Sequence, residues 1–269
     1  MLHVLRRSIL FFMLLALGIA WSGCAKGITS VQPVNIPDAN FRAAIERTLD
    51  KPAGATITNA DMGALTSLEG DGGNICDLTG LEFATNLKHL CLSNNQLLDL
   101  SPLAGLTNLE ILELNLNYVS DLSPLTGLTN LEILILGFNR VSDLSPLAEL
   151  TNLEALSLCY KPVPDLSSLE QLDLYDYRIS DLSPLAKLTN LEFLILRSNR
   201  ISDLSPLVEL TNLKTLNLCD NRVSDLSPVV KLINLKELDV RSNPLNPKTI
   251  IDDVPILEAA GIYVRHSYQ

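Results

Sequence analysis

The chain has 269 residues, 47% of them hydrophobic and only 5% aromatic. Leucine supplies most of the apolar mass, a bias that suits many equivalent core positions better than one mixed globular core. Twenty basic residues stand against 31 acidic ones, a net charge of −11, and so acidic a surface repels phosphate backbones, which excludes nucleic acid as a partner.

Residues 1–23 read as a leader. Arg6 and Arg7 precede an apolar run, Ile9–Ala20, too short for a membrane-crossing helix and suited to the h-region of a signal peptide. Small residues before a cysteine, Ser22-Gly23-Cys24, resemble the lipobox of bacterial lipoproteins, with Trp21 as a departure where Leu, Val or Ile is usual. That resemblance implies cleavage before Cys24 and lipidation of Cys24. Contact with a membrane then runs through the lipid, and Ala25 implies the outer membrane where a cell has two. If Cys24 carries no lipid, a plain secretory signal still exports the chain. Loss of residues 1–23 removes two basic residues and no acidic one, leaving 18 against 31 and a net charge of −13.

Residues 24–35 form a tether and 36–63 a helical cap. Asp38 stands at an N-cap before Phe41, Ala44, Ile45, Thr48 and Leu49, which have helical spacing. A second short helix starts at Thr58, with Asp61 placed for a capping box.

From 64 to 245 the chain repeats. The 22-residue unit N-L-x-x-L-x-L-x-x-N-x-[VI]-S-D-L-S-P-L-x-x-L-T runs through 86–107, 108–129, 130–151, 190–211 and 212–233, and begins again at Asn234. A degenerate repeat zero fits 64–85. Self-similarity at this period marks a solenoid. The x-L-x-L-x stretch alternates as a strand with one buried face does, so Leu90, Leu112, Leu134, Leu156, Leu172, Leu194, Leu216 and Leu238 are expected to stack in one ladder. The asparagine after each strand (Asn95, Asn117, Asn139, Asn199, Asn221, Asn243) suits a turn whose backbone groups need side-chain partners. In S-D-L-S-P-L the leucines point inward, proline fixes φ where no ladder hydrogen bond is needed, and Ser or Asp caps the bend.

The hexapeptide SDLSPL stands at 120, 142, 180 and 202, so one step is 38 residues rather than 22. The expected cause is a shortened fourth repeat, 152–167, followed by a full fifth, 168–189, whose strand Leu172-Asp173-Leu174 stays in the sheet. Lys161 and Tyr177 replace the turn asparagines there. On that count Cys159 and Cys219 lie three coils apart, about 14 Å at the strand spacing, beyond disulfide reach. Free thiols are expected at Cys76, Cys91, Cys159 and Cys219. Residues 246–269 close the array: 248–260 helical, Gly261 as a C-cap, Ile262–Val264 a closing strand.

L-x-x-L-x-L-x-x-N resembles the leucine-rich repeat, and the 22-residue form with S-D-L-S-P-L-x-x-L-T is similar to the internalin type, as is the cap segment I-P-D-A-N-F-R-A-A-I-E. The fold expected is an α/β solenoid with a parallel sheet on its concave face, short turns or 3-10 segments on its convex face, a helical N-cap and an α/β C-cap.

Three histidines, His3, His89 and His266, stand apart. The sequence shows no nucleophile–base pair, no Gly-rich phosphate loop and no clustered metal ligands, so an enzyme is not expected, nor a cofactor or metal. Two readings remain: a monomeric, envelope-anchored module that binds a protein, or a glycan, on its concave face, and a rigid acidic spacer. A spacer should show charged and small residues on that face. The expected contact residues are Ile111, Ile133, Ile135, Phe138, Tyr160, Tyr175, Phe193 and Ile195, with Asp173 and Arg197 at the rim. His89, Ser93, Thr215, Asn217, Glu237 and Asp239 occupy corresponding places outside this block.

Overall fold

Nine three-residue strands stack in chain order into one parallel sheet. The computed structural model describes residues 30–158 and 179–267. The strands are β1 Ser67–Glu69, β2 His89–Cys91, β3 Ile111–Glu113, β4 Ile133–Ile135, β5 Ala155–Ser157, β6 Phe193–Ile195, β7 Thr215–Asn217, β8 Glu237–Asp239 and β9 Tyr263–Arg265. Their middle residues pair in register: Leu68, Leu90, Leu112, Leu134, Leu156, Leu194, Leu216, Leu238 and Val264. All nine are at most 2% exposed. Burying one leucine per coil in this way contributes roughly 1.5–3 kcal/mol each, before the cost of ordering the chain.

Two polar devices recur along the coils. Ser-Pro-Leu forms a 3-10 turn at Ser101–Leu103, Ser123–Leu125, Ser145–Leu147, Ser183–Leu185 and Ser205–Leu207. The aspartate two residues earlier accepts the serine N–H, as Asp121 does from Ser123 and Asp203 from Ser205, both at 2.8 Å. The asparagine after the strand stitches two coils together. Asn117 Oδ1 accepts from Leu97 N–H of the preceding coil at 2.9 Å, while its Nδ2 donates to Leu92 O of that coil (2.9 Å) and Leu114 O of its own (3.0 Å). Asn139, Asn221 and Asn243 repeat the pattern.

The 38-residue step has a different origin from the one expected. β5 pairs directly with β6, Leu156 opposite Leu194, so no further strand stands between these two in the sheet; Leu172, Asp173 and Leu174 lie outside the described residues. Among the described residues the repeat region holds eight coils, β1 to β8, where nine, one of them shortened, were expected. One coil carries 16 extra residues between Leu158 and its return at Ile179, which is fully buried. The convex side is continuous too: the 3-10 turns Ser145–Leu147 and Ser183–Leu185 touch, Asn190 Nδ2 donates to Thr151 O at 2.9 Å, and Lys187 pairs with Glu149 at 3.0 Å. A coil cut to 16 residues would lack the convex leucines that cover its neighbours, whereas a longer excursion adds only a slowly growing loop-closure cost. Lys161 and Tyr177 lie outside the described residues, as does Cys159. β5 and β7 are two strands apart, so the coils leading to Cys159 and Cys219 are two apart, not three. Cys76, Cys91 and Cys219 carry free thiols.

Both ends of the core are covered. Helix α1 (Ala39–Thr48) buries Phe41, Ala44 and Ile45, while Thr48, expected on the same face, is exposed. Asp38 caps it, its Oδ1 accepting from Asn40 and Phe41 N–H at 2.9 Å, and Oδ2 accepts from Cys76 N–H at 2.8 Å, tying the cap to the first coil. Thr58 and Asp61 form the capping box of α2 (Asn59–Gly63). At the other end a π-type turn, Thr249–Asp253, leads into α3 (Val254–Ala259). Gly261 then takes φ +82°, which a side chain would oppose, and β9 joins the sheet.

Candidate functional site: the concave face

Alternation along each strand sends the residues flanking the buried leucine to the concave face. One column runs His89, Ile111, Ile133, Ala155, Phe193, Thr215, Glu237; the next runs Cys91, Glu113, Ile135, Ser157, Ile195, Asn217, Asp239. Across β3 to β6 this face is mainly apolar, with Glu113 and Ser157 as its polar members and Ile111, Ile133, Ile135, Phe193 and Ile195 half-buried and open to solvent on one side. Between them β5 presents the small residues Ala155 and Ser157. The core below is already filled by leucine, so packing of the fold does not call for this second apolar layer.

The flanks differ sharply. Beyond β7 the face is charge-paired: Arg241 holds Asp239 at 2.6 Å and Arg265 holds Glu237 at 3.1 Å. Toward the N-cap, Glu69, Asp71 and Glu113 gather around Cys91. Burial, and then the charges of Asp71 and Glu69, push the Glu113 carboxyl up from its ordinary range; burial, then Glu113, pushes the Cys91 thiol up to about 12. Such carboxylates repel one another more than they attract a partner.

Of the residues expected at the site, Ile111, Ile133, Ile135, Phe193 and Ile195 come together. Arg197 follows β6 at the edge of the patch, with its Nε buried and without a hydrogen-bond partner. Phe138 is not on a strand: it sits in the turn past β4 at φ +60°, half-buried, in the column that holds Asn94, Leu116, Ser198, Asp220 and Ser242, all left-handed. A bulky side chain at φ > 0 is uncommon, and the repeat geometry imposes it here. Cys24, Tyr160, Asp173 and Tyr175 lie outside the described residues.

One column escaped the sequence reading. The residue just before each of β2 to β8 is Lys88, Glu110, Glu132, Glu154, Glu192, Lys214 and Lys236 in turn. Lys88 pairs with Glu110 and Lys214 with Glu192, each at 2.6 Å. Glu110 also reaches His89, in the first concave column, at 3.8 Å. The signal lay in a run of four N-L-E repeats flanked by N-L-K repeats.

Among the described residues no group of His, Cys, Asp and Glu is placed to hold a metal ion, and no helix is long and apolar enough to cross a membrane.

A coiled stack of this geometry defines a leucine-rich repeat protein. The family model for leucine-rich repeats (two copies) matches residues 85–127, 129–171, 167–209 and 211–257, well over half the chain. The chain belongs to that family and within it is internalin-like. An internalin, inlF, from Listeria monocytogenes is 30% identical with a TM-score of 0.77, over 87% of this chain and 65% of its own length. Internalin C2 from the same organism is 31% identical with a TM-score of 0.74, over 90% of this chain and all of its own. The functional domain of InlJ, also from Listeria monocytogenes, is 22% identical with a TM-score of 0.58, over 88% of this chain and 61% of its own, and shares the fold. This chain thus spans just under two thirds of the inlF and InlJ chains. No curated protein matches it. Leucine-rich repeat proteins of the internalin kind generally serve protein–protein interaction.

Proposed function

We propose that this protein is an envelope-anchored interaction module that seats a protein partner on the concave face of β3 to β6, with Cys24 as the lipid-bearing residue. The observation that carries this reading is the solvent-open apolar block of Ile111, Ile133, Ile135, Phe193 and Ile195 over a core that is complete without it. Apolar clusters with polar rims are the usual character of interaction sites. A rigid spacer has no use for such a layer and would carry charged or small residues instead.

The test is capture from envelope extract by the purified chain and by Ile133→Asp and Phe193→Asp variants shown by circular dichroism to be folded. Proteins retained by wild type and lost from both variants support the reading; identical capture by all three rejects it. For the anchor, Cys24→Ser should move the protein from the membrane pellet to the soluble fraction. A variant that pellets unchanged, with no acyl label in wild type, removes the anchor.

A further inference from the structure

We infer that the occupant of the concave face is a polypeptide segment that presents apolar side chains with lysine or arginine along one edge, and that Glu132 and Glu154 select it. The inference rests on the concave-face reading above and adds the partner's chemistry.

Four glutamates, Glu110, Glu132, Glu154 and Glu192, precede β3, β4, β5 and β6, the strands across which the apolar block lies. Adjacent strands are about 4.8 Å apart, so the four carboxylates span about 14 Å. The outer two are neutralised within the chain, Glu110 by Lys88 and Glu192 by Lys214. Glu132 and Glu154, both exposed, form no ion pair among the described residues. Like charges directly opposite on neighbouring strands are destabilising, and here the repulsion is left standing at the centre of the array. Each of the two is the chain neighbour of a patch residue, Ile133 or Ala155. Glu110 shows how far such a carboxylate reaches, since its Oε2 lies 3.8 Å from His89 Nε2 in the first concave column.

An apolar side chain that packs on Ile133 and Phe193 therefore brings its neighbours beside two carboxylates that have no ion pair among the described residues. A cation there relieves the Glu132–Glu154 repulsion, while an anion adds to it. At the opposite edge stands the Arg197 guanidinium, its Nε buried and without a hydrogen-bond partner, and its positive charge favours a carboxylate or carbonyl on that side of the guest. The face is thus polar across its width, acidic where the strands begin and basic at Arg197, and this fixes which edge of the guest carries the cations. Charge complementarity of this sort acts on specificity and association rate and weakens with salt.

Three synthetic peptides of equal length serve as probes: one with leucine and phenylalanine along one side and lysine along an edge, one with glutamate in place of lysine, and one with serine in place of the apolar residues. Binding to the purified chain is read by fluorescence anisotropy at low and high salt. The apolar–basic peptide should bind at least about tenfold more tightly than either control at low salt and lose several-fold at high salt, where the screening length falls from about 10 Å toward 3 Å. Glu132→Gln with Glu154→Gln should remove about tenfold. Glu209→Gln with Glu258→Gln, the same charge change at two exposed sites away from the face, should alter binding less than about twofold, and Ile133→Ser with Phe193→Ser should abolish it. If the glutamate pair changes nothing while the apolar pair abolishes binding, the selective role is overturned and the concave-face reading stands. An equal loss in the distant pair reduces the effect to general attraction and likewise overturns it. If the apolar pair binds as wild type, the concave-face reading itself falls.

Discussion

Leu156 and Leu194 lie opposite one another across β5 and β6 although 38 residues separate them. The sheet passes from one coil to the next as if the intervening chain were absent, and the core is refilled by Ile179, whose carbonyl accepts the Arg200 N–H at 2.9 Å. It follows that the solenoid does not need the extra segment. Deleting residues 163–178 restores the spacing between Leu158 and Ile179 that Leu136 and Val141 have. The variant should melt cooperatively with a midpoint within a few degrees of wild type, because each doubling of loop length costs only about 0.6 kcal/mol. Loss of the cooperative transition would show that the segment supplies a coil.

Ile179 marks the loosest stitch of the asparagine column. Its N–H reaches Asn199 Oδ1 at 3.3 Å, against 2.9–3.0 Å for Leu97, Val119, Ile201 and Val223 with theirs. Val141, one coil earlier, has no asparagine partner among the described residues, since Lys161 and Tyr177 stand where one would be. Hydrogen exchange at the Ile179 amide should be faster than at Ile201, and local opening should start here. Equal protection at both amides would refute this.

Asn117 is 3% exposed and serves two coils. Asn117→Ala leaves the buried Leu97 N–H without its partner, at about 1–3 kcal/mol, while the Leu92 carbonyl keeps the bond from Asn95 Nδ2 at 3.0 Å. A denaturant titration should show a loss of about 1–3 kcal/mol. A loss below 1 kcal/mol would mean that water replaces the side chain.

The N-cap should yield to acid at a defined place. The side-chain bond from Lys51 at 2.6 Å, followed by that from Thr58, holds the Asp61 carboxyl down to about 2 from the ordinary 3.8. A depressed carboxyl stabilises the fold above the unfolded value, and that contribution fades as pH falls from about 4 to about 2. Thermal midpoints should therefore separate wild type from Asp61→Asn at pH 6 and converge near pH 2. A constant gap would point to packing alone.

Glu113 has the opposite sign. Its carboxyl is raised by burial and by Asp71 and Glu69, so the folded chain binds that proton more tightly than the unfolded one. Its contribution is full below the ordinary 4.5 and is lost as pH rises through the folded value. Glu113→Gln should accordingly be more stable than wild type at pH 7, with the gap narrowing as pH falls below the ordinary carboxylate range. A destabilised variant at neutral pH would show that the carboxylate has a partner that the glutamine amide cannot replace.

Period-two alternation inside a 22-residue period was enough, read along the chain, to place the leucine ladder, the asparagine and aspartate columns, the caps at Asp38, Thr58 and Gly261, and the apolar block at Ile111, Ile133, Ile135, Phe193 and Ile195. Those features are local: each depends on a residue's spacing from its near neighbours and on the turn it must make. The tertiary structure alone decided what the 38-residue step means, because a short coil and a long excursion give the same spacing. Pairing on both faces at once, Leu156 with Leu194 and Ser145–Leu147 with Ser183–Leu185, separates them. It also moved Phe138 off the strand into a left-handed turn and set Glu132 and Glu154 beside the apolar block with no ion pair among the described residues. Stacking brings together residues 22 and 38 positions apart, and only that stacking shows which charges the chain pairs with one another.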